Sequence, residues 1–184
     1  MRALAALAVV AMLAGCAQMG TVVGGFRPDL DTVPEDAVRE AARQIEEAVQ
    51  QGAAEVNLAE ANGVVLDTER IRQAVRTRAL RSEAINEFRD TGFGVEDDNG
   101  LLYVERGRLY SNATTRRERD RNAMLVMSEN NDRWAIYEDI VRANGLPSGA
   151  KDAVRYIFFE ERIRLMPEGQ PHSPLRGMAE TQPQ

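Results

Sequence analysis

Apolar residues recur at three- and four-residue intervals in four successive runs of this chain, and each run ends at a glycine or a proline. That period puts them on one stripe of an α-helix, whereas a half-buried strand would need alternation. In the first run, Val38, Ala41, Ile45, Ala48, Gly52 and Val56 share a stripe. Asp31 or Thr32 is the expected cap, Pro34 falls in the first turn, and Asn62-Gly63 is the expected stop. The stripe is thin and rich in alanine, which suits a docking helix or an inter-helix strut better than a deep core element. The second run has Asp67 as its expected cap and reaches about Arg89, with Ile71, Val75, Leu80 or Ala79, Ile85 and Phe88 facing inward. Thr91-Gly92-Phe93-Gly94 breaks it. The third opens at Thr114 or Thr115, carries Met124, Met127, Trp134, Tyr137, Ile140 and Val141, and closes at Asn144-Gly145. The fourth starts at Pro147 and Ser148, bears Ala150, Val154, Ile157, Phe158 and Ile163, and stops at Pro167. Aromatics make up only 5% of the chain, so the core must rest on aliphatic side chains.

Between the second and third runs, Asp97-Asp98-Asn99-Gly100 is a strong turn signal. Leu101 to Glu105 reads as a short strand, and a short β-hairpin is one arrangement for this stretch, although the strand's partner is poor in β-formers. The fold expected is therefore mainly α: about four helices, a glycine-rich loop that can hold a short hairpin, an extra amino-terminal helix and a disordered tail. The expected division is 1–15 signal peptide, 16–30 lipidated tether, 31–65 amino-terminal helix, 66–167 helical domain and 168–184 disordered tail. The tail reading rests on Pro171, Pro174 and Pro183 in a stretch with little apolar content.

The amino terminus reads as a targeting segment. Arg2 is followed by an apolar run from Ala3 to Ala14, then by Leu13-Ala14-Gly15-Cys16. This is the pattern of a secretory signal peptide ending in small residues, and the tetrapeptide looks like a bacterial lipobox. Cys16 would supply the thiol for a diacylglycerol thioether and, after cleavage, an amine for acylation. An uncleaved membrane anchor is the competing reading. It needs ~20 mostly apolar residues, and Gln18, Gly20, Thr21, Gly24 and Gly25 interrupt the run. Ala17 stands where an aspartate marks inner-membrane retention in enterobacterial lipoproteins, so the expected location is the outer membrane, facing the periplasm. Each buried methylene of an acyl chain adds about 0.8 kcal/mol, so two or three chains would anchor the protein firmly.

Composition narrows the chemistry. A single cysteine excludes an intramolecular disulfide and a cysteine cluster for zinc, and a single histidine, His172, excludes a multi-histidine metal site. A net charge of −6 disfavours nucleic-acid binding. His172 lies in the expected tail, where nothing holds it for general-base work. No G-x-S-x-G elbow is present. Asp97 and Asp98 lack the rest of an oxygen-ligand calcium loop. Gly92-Phe93-Gly94 lacks the third glycine of a phosphate loop. Asn112-Ala113-Thr114 fits the glycosylation sequon, which carries no weight in a bacterial lipoprotein. No cofactor, metal ligand or catalytic residue is expected. Arg116-Arg117-Glu118-Arg119-Asp120-Arg121 reads as a solvated helix face, with contact to an anionic lipid or partner as the sharper alternative.

One segment carries more information. Glu129-Asn130-Asn131-Asp132-Arg133 puts five polar residues inside an otherwise apolar helix, and Asn130, Arg133 and Tyr137 share a face. Asparagine in a helix interior is mildly unfavourable. Buried polar groups need partners, so Asn130, Arg133 and Tyr137 are expected to hold the Gly92–Gly100 loop in a hydrogen-bonded network; a partner-recognition surface is the other reading. The candidate set is Glu129, Asn130, Asp132, Arg133 and Tyr137 with Gly92, Gly94, Asn99 and Gly100.

These residues carry a resemblance. Phe93-Gly94-Val95-Glu96 with Asn99-Gly100-Leu101-Leu102 resembles one signature of the YdbL-like bacterial envelope family. Glu129-Asn130-Asn131-Asp132-Arg133 with Tyr137, Ile140 and Asn144-Gly145 resembles its second, and Pro167-Glu168-Gly169 resembles the family's ending. The similarity covers about Ile71 to Gly169. Leu101 stands where the family has an aromatic, Ile140-Val141 replaces Ile-Ala, and the stretch from Tyr103 to Arg121 is longer and more charged. The resemblance implies a non-enzymatic envelope protein. Its relatives are associated with an AsmA-like bridge that moves phospholipid between membranes and with a small lipoprotein at its outer end. The implied role is chaperone-like, with the membrane reached through Cys16. A structural lipoprotein that binds peptidoglycan or another outer-membrane protein, and a hydrolase, are the other readings.

Overall fold

The computed structural model describes residues 28–53, 58 and 61–174; Cys16 and the expected signal and most of the tether lie outside them. The protein is mainly helical. A 3-10 turn at Leu30–Thr32, capped by the Asp29 side chain, precedes α1 (Glu35–Gln50). Then follow α2 (Glu69–Asp90), β1 (Gly94–Glu96), β2 (Leu102–Val104), α3 (Arg108–Ala113), α4 (Arg116–Ala143) and α5 (Ala150–Leu165). Strands β1 and β2 form an antiparallel hairpin that pairs Gly94 with Val104 and Glu96 with Leu102. Among the described residues no helix is long and apolar enough to cross a membrane.

Local chemistry sets the helix starts. The Thr68 hydroxyl accepts from the Ile71 amide at 3.1 Å, so the cap of α2 is Thr68 and not Asp67. At α4, Thr115 and Glu118 form a reciprocal capping box, with the Thr115 amide donating to Glu118 Oε2 at 2.7 Å and the Glu118 amide to Thr115 Oγ1 at 3.3 Å. The six-residue α3 was not expected; Tyr110 is its one buried residue, and it meets Phe93 edge-on at 5.1 Å.

The amino-terminal helix is shorter than its 31–65 expectation. It stops at Gln50, where Gly52 takes a left-handed φ of 63° and its amide bonds to the Val49 carbonyl. Asn62-Gly63 is a separate feature. Both residues have positive φ, 49° and 90°, and Ala61 and Val64 exchange backbone hydrogen bonds across them. Two consecutive positive φ values are what a type I′ turn requires, and Asn-Gly suits it for that reason. The same dipeptide that can cap a helix here closes a tight turn.

Nor is α1 a strut. Val38, Ala41, Ala42 and Ile45 have no solvent exposure. They belong to one core with Ile71, Ala74 and Val75 of α2, Ile136 and Ile140 of α4, and Val154, Ile157 and Phe158 of α5. The division at residue 65 therefore falls inside a single core. The small side chains that made the stripe look thin allow α1 to pack closely. A second, smaller cluster joins Ile85, Phe88, Leu102, Tyr110 and Val126 under the hairpin.

The carboxyl-terminal segment also departs from expectation. Residues 168–174, assigned to the tail, lie beside β1: the Glu96 amide donates to the Pro171 carbonyl at 3.1 Å and the Ser173 amide to the Glu96 carbonyl at 2.8 Å. Gln170 is buried and donates to Asp90. The unpaired edge of β1 offers backbone partners, and a proline-rich segment can take them with the amides it retains. His172 sits in this segment with its side chain exposed.

If α1 is integral to the core, Ile45→Ala should lower the free energy of unfolding by about 2–5 kcal/mol in a single cooperative transition. Urea denaturation checks this; a detachable helix would leave the main transition unmoved.

Candidate functional site

The two apolar clusters are separated by charge. Along α2, Arg78 falls between Val75 and Ile85; along α4, Glu129 and Arg133 fall between Val126 and Ile136. Arg78 and Arg133 are 1% and 0% exposed, and Glu96 is 0% exposed, so these charges have left water almost completely. An isolated buried charge is prohibitively costly, which means that each must find an opposite partner with good geometry.

They do so in a closed ring of six side chains. Glu46 of α1 takes a bidentate pair from Arg78 at 2.9 and 3.0 Å. Arg78 Nε reaches Glu129 Oε1 at 2.9 Å, and Arg133 Nε reaches the same oxygen at 2.9 Å. Arg133 then forks onto both oxygens of Glu96 at 2.7 and 2.8 Å. Arg162 of α5 closes the circuit, with Nη1 on Glu96 Oε2 at 3.2 Å and Nη2 on Glu46 Oε1 at 2.8 Å. Carboxylates and guanidiniums alternate around the ring. Fork-on-fork pairing supplies direction as well as energy. Arg89 adds a further contact to Glu96, and the half-buried Arg81 touches Glu129 and pairs with Asp132. Thr77 also donates to Asp132, at 2.8 Å.

Burial by itself would raise the Glu46 carboxyl, but Arg162 and Arg78 outweigh it and hold the group down at about 2. Glu96 and Glu129 follow the same logic: burial opposes ionisation, and the arginines facing each carboxylate keep it well below the ordinary value. These carboxylates are acceptors saturated by arginine. At neutral pH they are not poised to give or take a proton.

The ring also holds the hairpin loop. Tyr137 donates to the Gly100 carbonyl at 2.9 Å and accepts from Arg162 at 3.0 Å. Arg133 reaches the same carbonyl at 3.3 Å. The Asn130 amide behaves as a peptide group would, accepting from the Leu102 amide at 2.9 Å and donating to its carbonyl at 2.7 Å. Asn130, Arg133 and Tyr137 therefore all reach the Glu96–Leu102 stretch, as their shared face requires. Glu129 enters the ring itself, whereas Asp132 sits at its margin with Thr77 and Arg81. Gly92 follows α2 at φ 77°. At Gly94 a Cβ would lie 2.6 Å from the Phe88 ring, and at Gly100, with φ 81°, it would meet the Arg155 carbonyl at 2.7 Å. Asn99 accepts from the Leu101 amide at 3.0 Å and gives its own carbonyl to Arg155 Nε at 2.7 Å.

Glu46, Arg78, Glu96, Arg89 and Arg162 were not among the candidates. The available signal was charge intruding on an apolar stripe: Glu46 follows Ile45, and Arg78 stands three residues from Val75. Met124 and Met127, expected to face inward, are 58% and 52% exposed. Leu80 is exposed and Ala79 buried, which settles that alternative. Comparison of the chain with protein-family models, curated proteins and solved structures finds no match.

Removing one ring carboxylate should be costly, because the arginines around it stay buried. Glu96→Gln is expected to destabilise the fold by about 3–5 kcal/mol in chemical denaturation. The pH dependence has a definite sign. The ring carboxyls are depressed in the folded state, so their stabilisation is complete above the unfolded value of 4.5 and is lost as pH falls toward about 2. Urea midpoints should be flat from neutrality down to about pH 5 and then drop steeply.

Proposed function

We propose that this protein is a lipid-anchored envelope protein, fixed through Cys16 to the periplasmic face of the outer membrane, and that it acts without catalysis as an assembly factor for an AsmA-like phospholipid bridge. The reading of location rests on Leu13-Ala14-Gly15-Cys16 after an apolar run. The reading of role rests on the YdbL-like resemblance. One observation supports treating its two signatures as a unit: they touch. Glu96 meets Arg133, Gly100 meets Tyr137, and Leu102 meets Asn130. Residues scattered over the chain by chance would have no reason to clamp one another.

A non-enzymatic role suits this site. Its carboxylates are held ionised by the arginines that face them, which fits a scaffold that fixes a surface shape. A structural lipoprotein that grips peptidoglycan or another outer-membrane protein is the second reading; it shares the anchor.

Palmitate labelling should mark the wild-type chain and be lost in Cys16→Ala. In cells lacking the gene, movement of pulse-labelled phospholipid from inner to outer membrane should slow, and the Cys16→Ala chain should fail to restore it. Normal transfer together with sedimentation of the protein on purified sacculi would favour the structural reading instead.

A further inference from the structure

The buried cluster does not balance its charge. Glu46, Glu96 and Glu129 are each less than a tenth exposed, and so are Arg78, Arg89, Arg133 and Arg162. Among the described residues, three negative charges therefore face four positive ones. Arg81 does not alter the balance, since it pairs with Asp132 at the margin. The other buried acids are engaged elsewhere: Asp139 with Thr68 and Arg142, Glu161 with Arg39 and Arg164.

The surplus falls at Arg89. Its Nη1 donates to the Asn86 side chain at 3.0 Å, and its Nη2 contacts Glu96, which Arg133 and Arg162 already occupy. Its Nε is buried and has no hydrogen-bond partner among the described residues. Burial pulls this guanidinium below its ordinary value; Glu96 opposes the shift, but Arg133 and Arg162 close by add to it, so the shared Glu96 compensates the charge only in part. An unsatisfied buried donor on a charged group is an uncommon feature of a folded protein.

A cavity of about 30 Å³ lies at this place, with Arg78, Arg89 and Arg162 in its wall beside Glu46 and Glu129. A single water needs roughly 10–15 Å³ of such space, so there is room for two water-sized groups. Leu165 and Met166 of the α5 end contribute apolar surface to the same cavity. Two oxygens carrying one negative charge, with a small apolar remainder, describe a carboxylate.

We propose that this cavity binds a small monocarboxylate against the Arg89 guanidinium, where it supplies the negative charge that the buried ring lacks. The site is independent of the anchor and of any transport role. The two carboxylate oxygens take up the room for two water-sized groups, and the carbon chain of the acid has to lie along Leu165 and Met166.

Calorimetric titration of the full chain with sodium acetate at constant ionic strength tests this. Saturable one-to-one binding is expected, with acetamide, the uncharged analogue of the same shape, giving none. Arg89→Gln removes the surplus charge and leaves Glu96 with two arginines, so it should fold cooperatively and bind acetate roughly tenfold or more weakly. Ser82→Leu provides a second test, because Ser82 lines the cavity, is only partly buried and belongs to no ion pair. By filling the cavity it should abolish binding. Absence of saturable acetate binding, equal binding by acetamide, or unchanged affinity in either variant that folds would overturn the proposal.

Discussion

Buried ion pairing governs this fold. Glu46, Arg78, Glu96, Glu129, Arg133 and Arg162 come from four helices and one strand, and each can be buried only because the next closes on it. The interior of a protein offers a poor exchange for hydration unless charges are paired at hydrogen-bond distance with their remaining donors satisfied. Closing the ring meets much of that demand. It also couples the elements: α1 cannot leave without stranding Arg78 and Arg162, and β1 cannot leave without stranding Arg133. Apolar burial supplies the bulk of the driving force on either side of the ring, and the ring fixes which elements meet and in what register.

The hairpin shows how that constraint propagates. Two three-residue strands are too short to persist by themselves. Here β1 is held by its side chain, through Glu96, and by its backbone, through residues 171–173 on one edge and β2 on the other. The connecting turn is pinned where Tyr137, Arg133 and Arg162 converge on the Gly100 carbonyl. Close approach of the Arg155 backbone leaves no space for a Cβ at Gly100, so the turn is locked against α5 as well. A loop fixed on this many sides presents a rigid surface, which is what a recognition role would draw on.

Much of this was legible beforehand, and the reasons are specific. Helices α2, α4 and α5 could be placed because their apolar residues keep helical period and end at Gly92, Gly145 and Pro167. The reach of Asn130, Arg133 and Tyr137 toward the Gly92–Gly100 loop could be read because polar residues inside a helix need partners and share one face. Met124 and Met127 misled for the complementary reason. Periodicity sends apolar residues inward, whereas in this part of α4 the inward face belongs to Glu129 and Arg133 and the methionines point to solvent. The length of α1 misled because Asn62-Gly63 serves a helix end and a type I′ turn equally well. Residues 168–174 misled because prolines and scarce apolar content describe a loose tail and an edge-pairing segment alike.

Local pattern therefore determined the helical class, most of the helix boundaries, the turn at Asp97–Gly100 and the polar face of α4. Each depends on residues within a turn or two of one another, and such short-range geometry is written in spacing. The tertiary structure alone decided that Glu46, Arg78, Glu96 and Arg162 join Glu129 and Arg133, that α1 belongs to the core, and that one arginine is left in excess. Charge pairing across 32 to 116 residues of chain leaves no periodic trace. A glutamate in an amphipathic helix looks the same whether it meets water or a buried guanidinium, and only the packing of the other helices around it makes that choice.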